Sequence, residues 1–480
     1  MPKSDRVTSV FVMPRDFAPP KIDPTAPARI GARRRGMTVG QAIVTCGLIG
    51  AFTASAIRAP AASFAILLFA LQTGFLILAA WRIYLITGSG YRPSDEVLDL
   101  EASDRLPRYT ILAALHDEAE VVGQLIERLA EIDYPPDRIE AFLLLEAHDL
   151  ETLDAAQAVE RPDWLKIMVV PPGRPLTKPR ALNHGLAHAT GDLLVIYDAE
   201  DDPDPFQLRE AAARFAADKT EAYACLQSPL RIRRRSDRRA SPFLDRQFAV
   251  EYAALFEVKL PAMARLGLPF PLGGTSNHFR VGPLREVGGW DAWNVTEDAD
   301  LGFELWRRGW RLGVLSRPTY ETPPGDLDNW LPQRVRWLKG YMQTWGVHTR
   351  DLRTLGLRGM FAMSMTIGAG LVSAAAQAVA LAWVLAWVLV SVTAGLPPAP
   401  PLFSMSVLVL ALAAAWLQCA IGAYRGRVPY GPWDMIAAPA YWSLLTLAFA
   451  HALWRLIREP FAWDKTRHHR DEDAQPAVIV

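Results

Sequence analysis

The sequence predicts an α/β domain with a mostly parallel sheet, placed between an N-terminal and a C-terminal group of transmembrane α-helices. Three observations support this fold class. Strand and helix patterns alternate through the middle of the chain, long uncharged apolar stretches flank that middle part, and acidic residues follow predicted strands. Alternating strands and helices are typical of parallel sheets, and apolar stretches of about 20 residues are long enough to cross a bilayer.

The amino-acid composition limits which class of protein the chain can belong to. The chain has 480 residues, 51% of them hydrophobic, and a mean hydropathy of +0.08, which indicates a mixed chain rather than an ordinary soluble enzyme or a pure helix bundle. Acidic and basic residues are equal in number, so charge gives no support to a nucleic-acid partner. The cysteines Cys46, Cys225 and Cys419 are odd in number and scattered, which suits a reducing cytoplasm or lipid rather than disulfides.

The N-terminal part combines a basic tail with two predicted spans. Residues 1–36 are rich in Pro and Arg, hold eight Lys or Arg against three Asp, and lack a signal-peptide core, so we predict a disordered tail. Within residues 37–86, the uncharged stretches Met37–Ile57 and Ala61–Trp81 predict two transmembrane helices. The Arg33–Arg35 cluster predicts a cytoplasmic N-terminus, and two spans then return the chain to the cytoplasm.

Residues 87–358 carry alternating strand and helix patterns. The predicted strands are Tyr109–Leu115, Ile139–Leu145, Leu165–Val170 and Leu193–Tyr197, and the predicted helices are Glu118–Ile132, Thr152–Val159, Pro179–Ala189 and Pro205–Ala217. This alternation predicts a mostly parallel sheet, in which binding sites lie at the carboxyl ends of the strands.

Residues 359–457 predict three to four transmembrane or interfacial helices, followed by a cytoplasmic tail over residues 458–480. Met360–Leu396 is too long for one span and short for two, so it is either a close hairpin or an interfacial helix followed by one span. Leu402–Tyr424 and Met435–Trp454 are further spans. Because the tail after them is basic, the positive-inside rule requires an even number of spans here and favours the hairpin, giving four.

Asp198 and Glu200 follow the fourth predicted strand and are separated by one residue. Carboxylates at this spacing on a turn can both reach a divalent cation, and Mg²⁺ or Mn²⁺ prefers oxygen ligands. Such a cation neutralises a phosphate-bearing leaving group. The alternative is an acidic loop that caps the next helix, for which Asp201, Asp202 and Asp204 are available.

Further binding candidates lie at neighbouring strand and helix ends. Glu146 and Asp149 leave the second strand, where an acid can accept hydrogen bonds from a base or a ribose; the alternative is a pair of solvated loop acids. Lys178 opens the helix that carries Asn183, and a lysine there can bind phosphate or simply begin an ordinary helix. Glu118, which begins the helix after the first strand, is grouped with these substrate-binding candidates.

Thr296, Glu297 and Asp298 precede an amphipathic helix. Asp298 can act as a general base that takes the proton from an acceptor hydroxyl, with Glu297 beside it as the second catalytic candidate. The alternative is structural, because Thr296 can cap the helix and acids are favoured in a first turn.

Two more motifs can contact substrate. Thr275 lies in the polar turn Gly273–His278, which can line a channel for an acceptor. In the pentapeptide ahead of the C-terminal spans, Gln333 and Arg336 can hydrogen-bond a diphosphate, and Trp337 offers a flat face to a sugar ring. The alternative for the pentapeptide is an interfacial anchor of Trp and Arg.

In their order, these motifs resemble the processive, membrane-integrated family 2 glycosyltransferases, the group that contains the bacterial cellulose synthase catalytic subunit. The most specific parts are Gly288–Asp291 leading into Val295–Asp298, and the pentapeptide Gln333–Trp337. The resemblance covers about Pro107–Trp345 with the flanking spans, and it implies a GT-A-type nucleotide-sugar-binding domain that inverts the anomeric carbon by one direct displacement. The roles it implies are nucleotide contacts for Glu146 and Asp149, metal binding for Asp198 and Glu200, base catalysis for Asp298, and contacts with diphosphate and acceptor for Gln333, Arg336 and Trp337.

The resemblance implies an inner-membrane β-glycosyltransferase that uses a UDP- or GDP-sugar and Mg²⁺ or Mn²⁺ to extend a polysaccharide on the cytoplasmic side. Membrane lipids and an accessory export subunit are the further partners that fit. The sequence departs from the family pattern in having Glu200 where Asp is usual, in lacking the usual Cys before the small-residue turn, and in lacking a domain after the last span. One-step transfer to a lipid, as in the similar ceramide glucosyltransferases, and a catalytically silent membrane scaffold stay open as alternatives.

Overall fold

The structure is a computed structural model that describes residues 10–11, 31–32, 36–90, 106–233, 242–395 and 402–462. Nearly all of the predicted disordered tail at 1–36, most of the tail at 458–480 and the proline run at 397–401 lie outside the described residues.

Two apolar helices come first, α1 (Val39–Arg58) and α2 (Pro60–Gly88). Thr38 begins α1 with a capping box: its hydroxyl accepts from the Gln41 amide at 3.2 Å, and its own amide donates to the Gln41 side chain at 2.8 Å. Ala59 makes the turn between the helices, and Pro60 occupies the first position of α2, where a missing amide hydrogen costs nothing. Both helices are long and apolar enough to cross a membrane, as predicted.

A mixed sheet of eight strands forms the centre of the domain. Its strands, in chain order, are β1 (Val10–Phe11), β2 (Tyr109–Leu115), β3 (Ile139–Glu146), β4 (Leu165–Val170) and β5 (Leu193–Tyr197), then β7 (Tyr223–Gln227), β9 (Asn277–Arg280) and β10 (Arg311–Val314). Their spatial order is β1-β4-β3-β2-β5-β9-β7-β10, and only β9 runs antiparallel to its neighbours. A small second sheet joins β6 (Asp202–Pro203), β11 (Thr319–Glu321) and β8 (Leu230–Ile232). The predicted mostly parallel sheet is confirmed.

Helices cover both faces of the large sheet. They are α3 (Val122–Ala130), α4 (Leu150–Ala158), α5 (Lys178–His188), α6 (Gln207–Ala217), α7 (Pro242–Ala254), α8 (Leu260–Arg265), α9 (Val281–Glu286), α10 (Glu297–Arg307) and α11 (Leu327–His348). A π-helical turn, Leu255–Lys259, joins α7 to α8. Ile111 and Leu112 of β2 point to opposite faces, and both are fully buried. Burial on both faces explains why these strands read as continuous apolar runs.

The C-terminal part contains α12 (Leu352–Met363), α13 (Ala369–Thr393), α14 (Leu402–Gly426) and α15 (Pro432–Arg458). Gly356, with φ +67°, interrupts α12 near its start. After this break, a π-helical turn at Ser364–Gly368 joins α12 to α13, so one helical stretch follows Gly356 and ends at Thr393. The hairpin favoured from the sequence is therefore not formed. Among the described residues, three C-terminal helices and five in total are long and apolar enough to cross a membrane.

The physical reason for this difference lies in the first turns of that stretch. Leu355, Met363 and Ile367 are buried against Phe303 of α10, so the N-terminal part of the stretch packs on the domain. Residues beyond Val379 expose their apolar side chains instead. The sequence left open an interfacial helix followed by one span; the structure instead packs the first helix on the domain and continues it into a single apolar helix. Tertiary packing, which the hydropathy pattern does not report, decided this outcome.

Candidate active site

A cavity of about 370 Å³ lies at the carboxyl ends of the central strands and extends toward the membrane helices. The residues at its sheet end belong to β2, β3, β5 and the start of α5, and those at its other end belong to α7, α11, α13 and α15. The sequence-predicted residues that line it are Glu118, Glu146, Lys178, Asp198, Glu200, Thr275, Glu297, Asp298, Gln333, Arg336 and Trp337. Asp149 and Asn183 are the two predicted residues that lie outside this lining.

Asp198 and Asp298 are brought together although they are far apart in the chain. The Lys178 ammonium pairs with the Asp198 carboxylate and donates to the Gly274 carbonyl at 2.7 Å. A side-chain carbon added to Gly274 would lie 3.4 Å from Asp298 Oδ2 and 3.9 Å from Asp198 Oδ2. The position of a side chain at Gly274 thus lies near both carboxylates, and glycine leaves this space open.

Burial makes the acids at the start of α10 unusually basic. It raises the pKa of Glu297 to about 8, with the neighbouring charge of Asp298 as the next cause. Burial also raises the pKa of Asp298 to about 6, although the Ala299 amide, Lys178 and Arg336 act in the opposite direction. The Asp298 Oδ1 atom accepts from the Ala299 amide at 2.6 Å. A buried carboxylate with a raised pKa is suited to removing a proton near neutral pH.

A cluster of acids surrounds the turn after β5. Asp201 is fully buried, and burial followed by the charges of Asp198 and Glu200 raises its pKa well above the usual range. Glu321, at the end of β11, lines the same cavity, and burial followed by the charge of Asp201 raises its pKa strongly. So many oxygen donors in one place fit a hard divalent cation, which would offset their mutual repulsion.

A second group of possible metal ligands lies at the edge of the site. One ligand atom each from His116, Asp117 and Asp149 falls within 4.8 Å of the others. Burial acts to raise the pKa of Asp149, but hydrogen bonds from Asp117 and Thr152 outweigh it and hold the pKa below its usual value. Asp149 caps α4 by accepting from the Thr152 amide at 3.2 Å, so part of its role is structural.

Charged pairs organise the end of the cavity at β3. Arg180 donates to Glu146 Oε2 at 2.5 Å and to the Pro171 carbonyl at 2.8 Å, which holds the Glu146 carboxylate at the strand end. The Glu118 amide donates to the Thr152 hydroxyl at 2.9 Å, so the loop after β2 is tied to α4. Arg180 was not singled out from the sequence, although its position two residues after Lys178 on a helix start was a usable signal.

Asn183 was predicted to bind substrate, but it does not line the cavity. Its side-chain amide donates to the Trp290 carbonyl at 2.7 Å, and its carbonyl accepts from the Trp290 amide at 2.9 Å. A side-chain carbon on Gly289, whose φ is +69°, would lie 2.2 Å from Asn183 Oδ1. Asn183 therefore holds the Gly288–Trp290 turn, and the glycines of that turn allow the close approach.

The α11 helix places the pentapeptide along one wall of the cavity. Asp326 caps this helix by accepting from the Asn329 amide at 2.8 Å. Gln333, Arg334, Arg336 and Trp337 all line the cavity, and Arg334 is 4% exposed. Arg334 donates to Glu251 Oε1 at 2.8 Å, and its guanidinium lies 4.6 Å from the centre of the Trp337 ring. This buried arginine fixes the tryptophan face that borders the cavity.

Several lining residues carry no sequence motif. Glu251 and Tyr252 come from α7, Glu321 from β11 and Tyr341 from α11. A polar residue among apolar ones on a helix was the only signal for Glu251, and this pattern is too common to be informative. These residues reach the site because α7 and β11 pack beside it in three dimensions.

Comparisons with known proteins agree with this geometry. Residues 107–340 match the profile of the family described as Glycosyltransferase like family 2. The chain is 28% identical over 287 residues to the beta-monoglucosyldiacylglycerol synthase of Synechocystis sp., covering 57% of this chain and 56% of that protein. It is 27% identical over 278 residues to the cellulose synthase 1 catalytic subunit of Komagataeibacter xylinus, covering 55% of this chain and 35% of that protein. The alignments thus span little more than half of the first relative and about a third of the second.

A solved structure shares the fold. The mannosyltransferase PcManGT from Pyrobaculum calidifontis, solved with GDP-Man and Mn²⁺, superposes with a TM-score of 0.52 at 18% identity. The match covers 81% of this chain and 97% of that one. The GT-A-type α/β fold expected from the sequence is confirmed, with apolar helices before and after it.

Proposed function

We propose, from the premise that residues 107–340 are a glycosyltransferase family 2 domain, that this chain transfers a sugar from a UDP- or GDP-sugar to an acceptor hydroxyl presented from the membrane. The observation that carries the proposal is the single cavity that joins the Asp198 and Asp298 carboxylates at the sheet to apolar walls beside α13 and α15. A charged donor and an acceptor from the membrane can meet only in such a cavity.

The reaction follows from the residues around Asp298. Its buried carboxylate takes the proton of the acceptor hydroxyl as that oxygen bonds to the anomeric carbon, and the bond from this carbon to the diphosphate breaks. Attack from the face opposite the diphosphate inverts the anomeric carbon. Lys178 and Arg336 lie close enough to influence the Asp298 charge, so they also offer positive charge to the departing diphosphate.

Asp198 and Glu200 are the residues that would hold Mg²⁺ or Mn²⁺, within the acidic cluster that also contains Asp201 and Glu321. When bound, such a cation supplies charge neutralisation to a diphosphate leaving group. The group His116, Asp117 and Asp149 is the alternative place for a cation. Glu118, Glu146 and Asp149 remain candidates for nucleotide contacts, because the first two line the cavity and the third lies beside His116, which does.

A growing β-linked polysaccharide is the first acceptor candidate. Trp337 lies 6.2 Å from both Phe248 and Tyr252, measured between ring centres, and Trp337 and Tyr252 border the cavity. Flat aromatic faces of this kind fit the apolar faces of sugar rings. Thr275 does not extend this surface, because its hydroxyl is directed to Asp201 and the Ile196 carbonyl.

A membrane lipid is the second acceptor candidate, and a specific observation favours it. The membrane end of the cavity is lined by Gly370, Ala374 and Leu445, which offer no polar group to a sugar chain. In addition, α13 packs mainly against α15, whereas α14 packs against α2 and α7, so these helices do not close around a channel in the described part of the chain. A lipid can reach the cavity sideways between such groups of helices.

The domain faces the cytoplasm in this proposal. The Arg-rich segment before α1 and the cytoplasmic supply of nucleotide sugars both support that side. A polysaccharide product would then need an export route, which an accessory subunit can provide.

The test is a donor panel assayed in membrane vesicles. Labelled UDP- and GDP-sugars with Mn²⁺ are incubated with wild type and with Asp298→Asn, and the products are separated by size and by extraction into organic solvent. We expect one donor to be used and the variant to lose about 10²- to 10⁴-fold in rate, the usual contribution of a general base. A chelated sample should lose activity and regain it with added Mn²⁺.

The outcomes separate the candidates. A long product would support the polysaccharide synthase, and a short extractable product would support the glycolipid synthase. Full activity in Asp298→Asn would reject Asp298 as the base. No turnover of any donor by wild type, in vesicles where the protein is folded, would support a silent scaffold instead.

A further inference from the structure

The last helix, α15, is apolar enough to cross a membrane, but its contacts place both of its ends on the catalytic domain. We propose that α15 does not span the bilayer and instead lies along its surface as an interfacial helix bound to α11. The partner of its outer face is then the boundary between lipid headgroups and acyl chains. The proposal concerns topology and does not depend on the reaction proposed above.

The start of α15 is tied to α7. Gln247 donates to the Asp434 carbonyl at 2.9 Å, and Arg246 donates to the Asp434 carboxylate at 2.5 Å. The same carboxylate accepts from the Gly431 amide at 2.8 Å, which closes the first turn of the helix. Asp434 is 5% exposed, so this is a buried connection between the helix start and the domain.

The middle of α15 is tied to the helix that carries the pentapeptide. The Tyr441 hydroxyl donates to Glu251 Oε2 at 2.7 Å and accepts from Arg334 at 2.9 Å. It also accepts from the Trp330 ring nitrogen at 3.2 Å. Further along, Ala448 packs in one cluster with Val335 of α11. The two helices therefore lie side by side.

The end of α15 returns to α11 as well. The Lys339 ammonium donates to the Ala462 carbonyl at 2.6 Å, and Gln343 donates to the Pro460 carbonyl at 2.8 Å. Phe461 meets Trp293 of the catalytic domain edge to face, with 5.2 Å between ring centres. Lys339 is fully buried in this contact.

These anchors are incompatible with a span. If α15 crossed, Asp434 and Pro460 would lie on opposite sides of a hydrocarbon layer about 30 Å thick. α11 would then have to follow α15 through that layer with Arg334, Arg336 and Lys339. Charged side chains are costly inside a bilayer. Here Arg334 and Arg336 line the cavity of the candidate site, and Lys339 binds a backbone carbonyl after α15.

The outer face of α15 has the pattern of a helix lying in the interface. Large exposed side chains are Trp433, Ile436, Leu447, Leu453, Trp454 and Ile457, at 78%, 64%, 55%, 45%, 53% and 75% exposure. At about 100° per residue, they fall within an arc of about 160°, opposite the buried residues. Arg458 in the last turn can meet lipid phosphates. The neighbouring α13, which continues away from the domain, packs against the buried face of α15 through Ala374 and Ala448, so α15 lies beside a helix that can cross the membrane.

The proposal changes the count of spans. Four helices, α1, α2, α13 and α14, remain as crossings. Gln41 at the start of α1 donates to the Gly346 carbonyl at 2.8 Å. Arg425 at the end of α14 donates to the Ser89 carbonyl after α2 at 2.7 Å and to the Glu257 carbonyl between α7 and α8 at 3.1 Å. The outer ends of both helix pairs thus meet the catalytic domain. An even number returns the chain to the domain side, so the basic segments at both ends lie on one side, as the positive-inside rule requires.

The first test is cysteine labelling from one side of sealed, uniformly oriented vesicles. Cys46, Cys225 and Cys419 are replaced by Ala, and one cysteine is introduced per variant. Pro429→Cys lies before α15, Arg458→Cys lies at its end, Asp137→Cys marks the domain side, and Thr393→Cys marks the far end of α13. We expect a membrane-impermeant maleimide to label positions 137, 429 and 458 from one side and 393 from the other. Labelling of 458 from the side of 393 would overturn the proposal.

Two further measurements guard against misfolding of the cysteine-free chain. An epitope tag after Val480 in the otherwise unchanged chain should bind antibody on the domain side, and binding only on the far side would overturn the proposal. Nitroxide labels at Ile436, Leu447 and Ile457 should all report a similar shallow depth, about 5–10 Å below the headgroups. A depth that peaks at Leu447, about 15 Å from either surface, would show a crossing helix.

Discussion

Asp298 shows how a side chain acquires its chemistry from its surroundings. The carboxylate sits beside Glu297 at the buried start of α10, where burial raises its pKa to about 6. Lys178 and Arg336 offset part of that rise. Lys178 and Arg336, which we propose to contact the diphosphate, thus also favour the charged form of Asp298. Removing the charge of Lys178 or Arg336 should therefore also raise the pKa of Asp298.

A pH profile can test this coupling. Because only the charged carboxylate accepts a proton, we expect the rate to fall as the pH drops through about 6 in wild type. Removing a neighbouring cation with Arg336→Gln should move this acid limb to higher pH, in addition to lowering the rate. Initial rates are measured at saturating donor from pH 5 to pH 9. The pH at which the rate is half its plateau value then marks the acid limb, whatever the maximum rate of the variant. A midpoint that stays in place or moves down would contradict the assignment.

At the scale of one element, α11 links the site to the membrane part. Its pentapeptide residues line the cavity, while Arg334 holds α7 and α15 through Glu251 and Tyr441. On another side of the helix, a side-chain carbon on Gly340 would lie 2.3 Å from the Thr296 hydroxyl, next to Glu297. The close approach of α11 to the start of α10 therefore requires a glycine at this position.

Replacing this glycine should be harmful for a steric reason. Gly340→Ala should displace Thr296 and the acids after it, lowering activity and destabilising the protein by about 1–3 kcal/mol, as overpacking does. The matched control is Gly346→Ala in the same helix, where no atom lies within 4 Å of the added carbon. This control should stabilise the helix by up to about 1 kcal/mol. Thermal unfolding in detergent and transfer rates give both values, and equal effects of the two substitutions would reject the explanation.

At the scale of the whole molecule, the cavity draws its described lining from distant parts of one chain. The lining comes from the sheet, from α7 and α11, and from the membrane-side helices α13 and α15. The helices themselves form two groups, α2 with α14 and α13 with α15, whose members pack mainly within each group. We therefore predict that donor binding and the first transfer need no second copy of the chain.

Nanodiscs of controlled size can test this independence. Discs that hold one copy should transfer the first sugar at the same rate per chain as discs that hold two. The measurement is the initial rate of labelled sugar incorporation, with copy number counted by photobleaching of a fluorescent tag. Activity confined to discs with two copies would show that the cavity is incomplete in a single chain. Longer products only in two-copy discs would show that a polymer path needs a partner.

Much of this organisation could be predicted from local patterns. Leu193–Tyr197 has the same bounds in the prediction and in the structure, because a short apolar run followed by an acidic turn can pack in few ways. Asp198, Glu297 and Asp298 could be singled out because strand ends and helix starts place acids at one edge of a parallel sheet. These features depend on near neighbours in the chain, which the sequence records directly.

Other features depended on contacts between distant segments. Asn183 was expected in the site, but both ends of its amide bind the Trp290 backbone, a contact across 107 residues. Met360–Leu396 was favoured as a hairpin, because hydropathy does not reveal that Met363 and Ile367 pack on Phe303 of α10.

By itself, the sequence determined the α/β domain, the apolar helices on both sides of it and the order of the acidic motifs. Only the tertiary structure decided that Glu251 and Glu321 share the cavity with Asp298, and that α15 begins and ends on the catalytic domain. The physical reason is that periodicity records whether a residue is buried, whereas its partner is set by how distant elements pack. A membrane helix and an interfacial helix can therefore have the same apolar composition and differ only in what holds their ends.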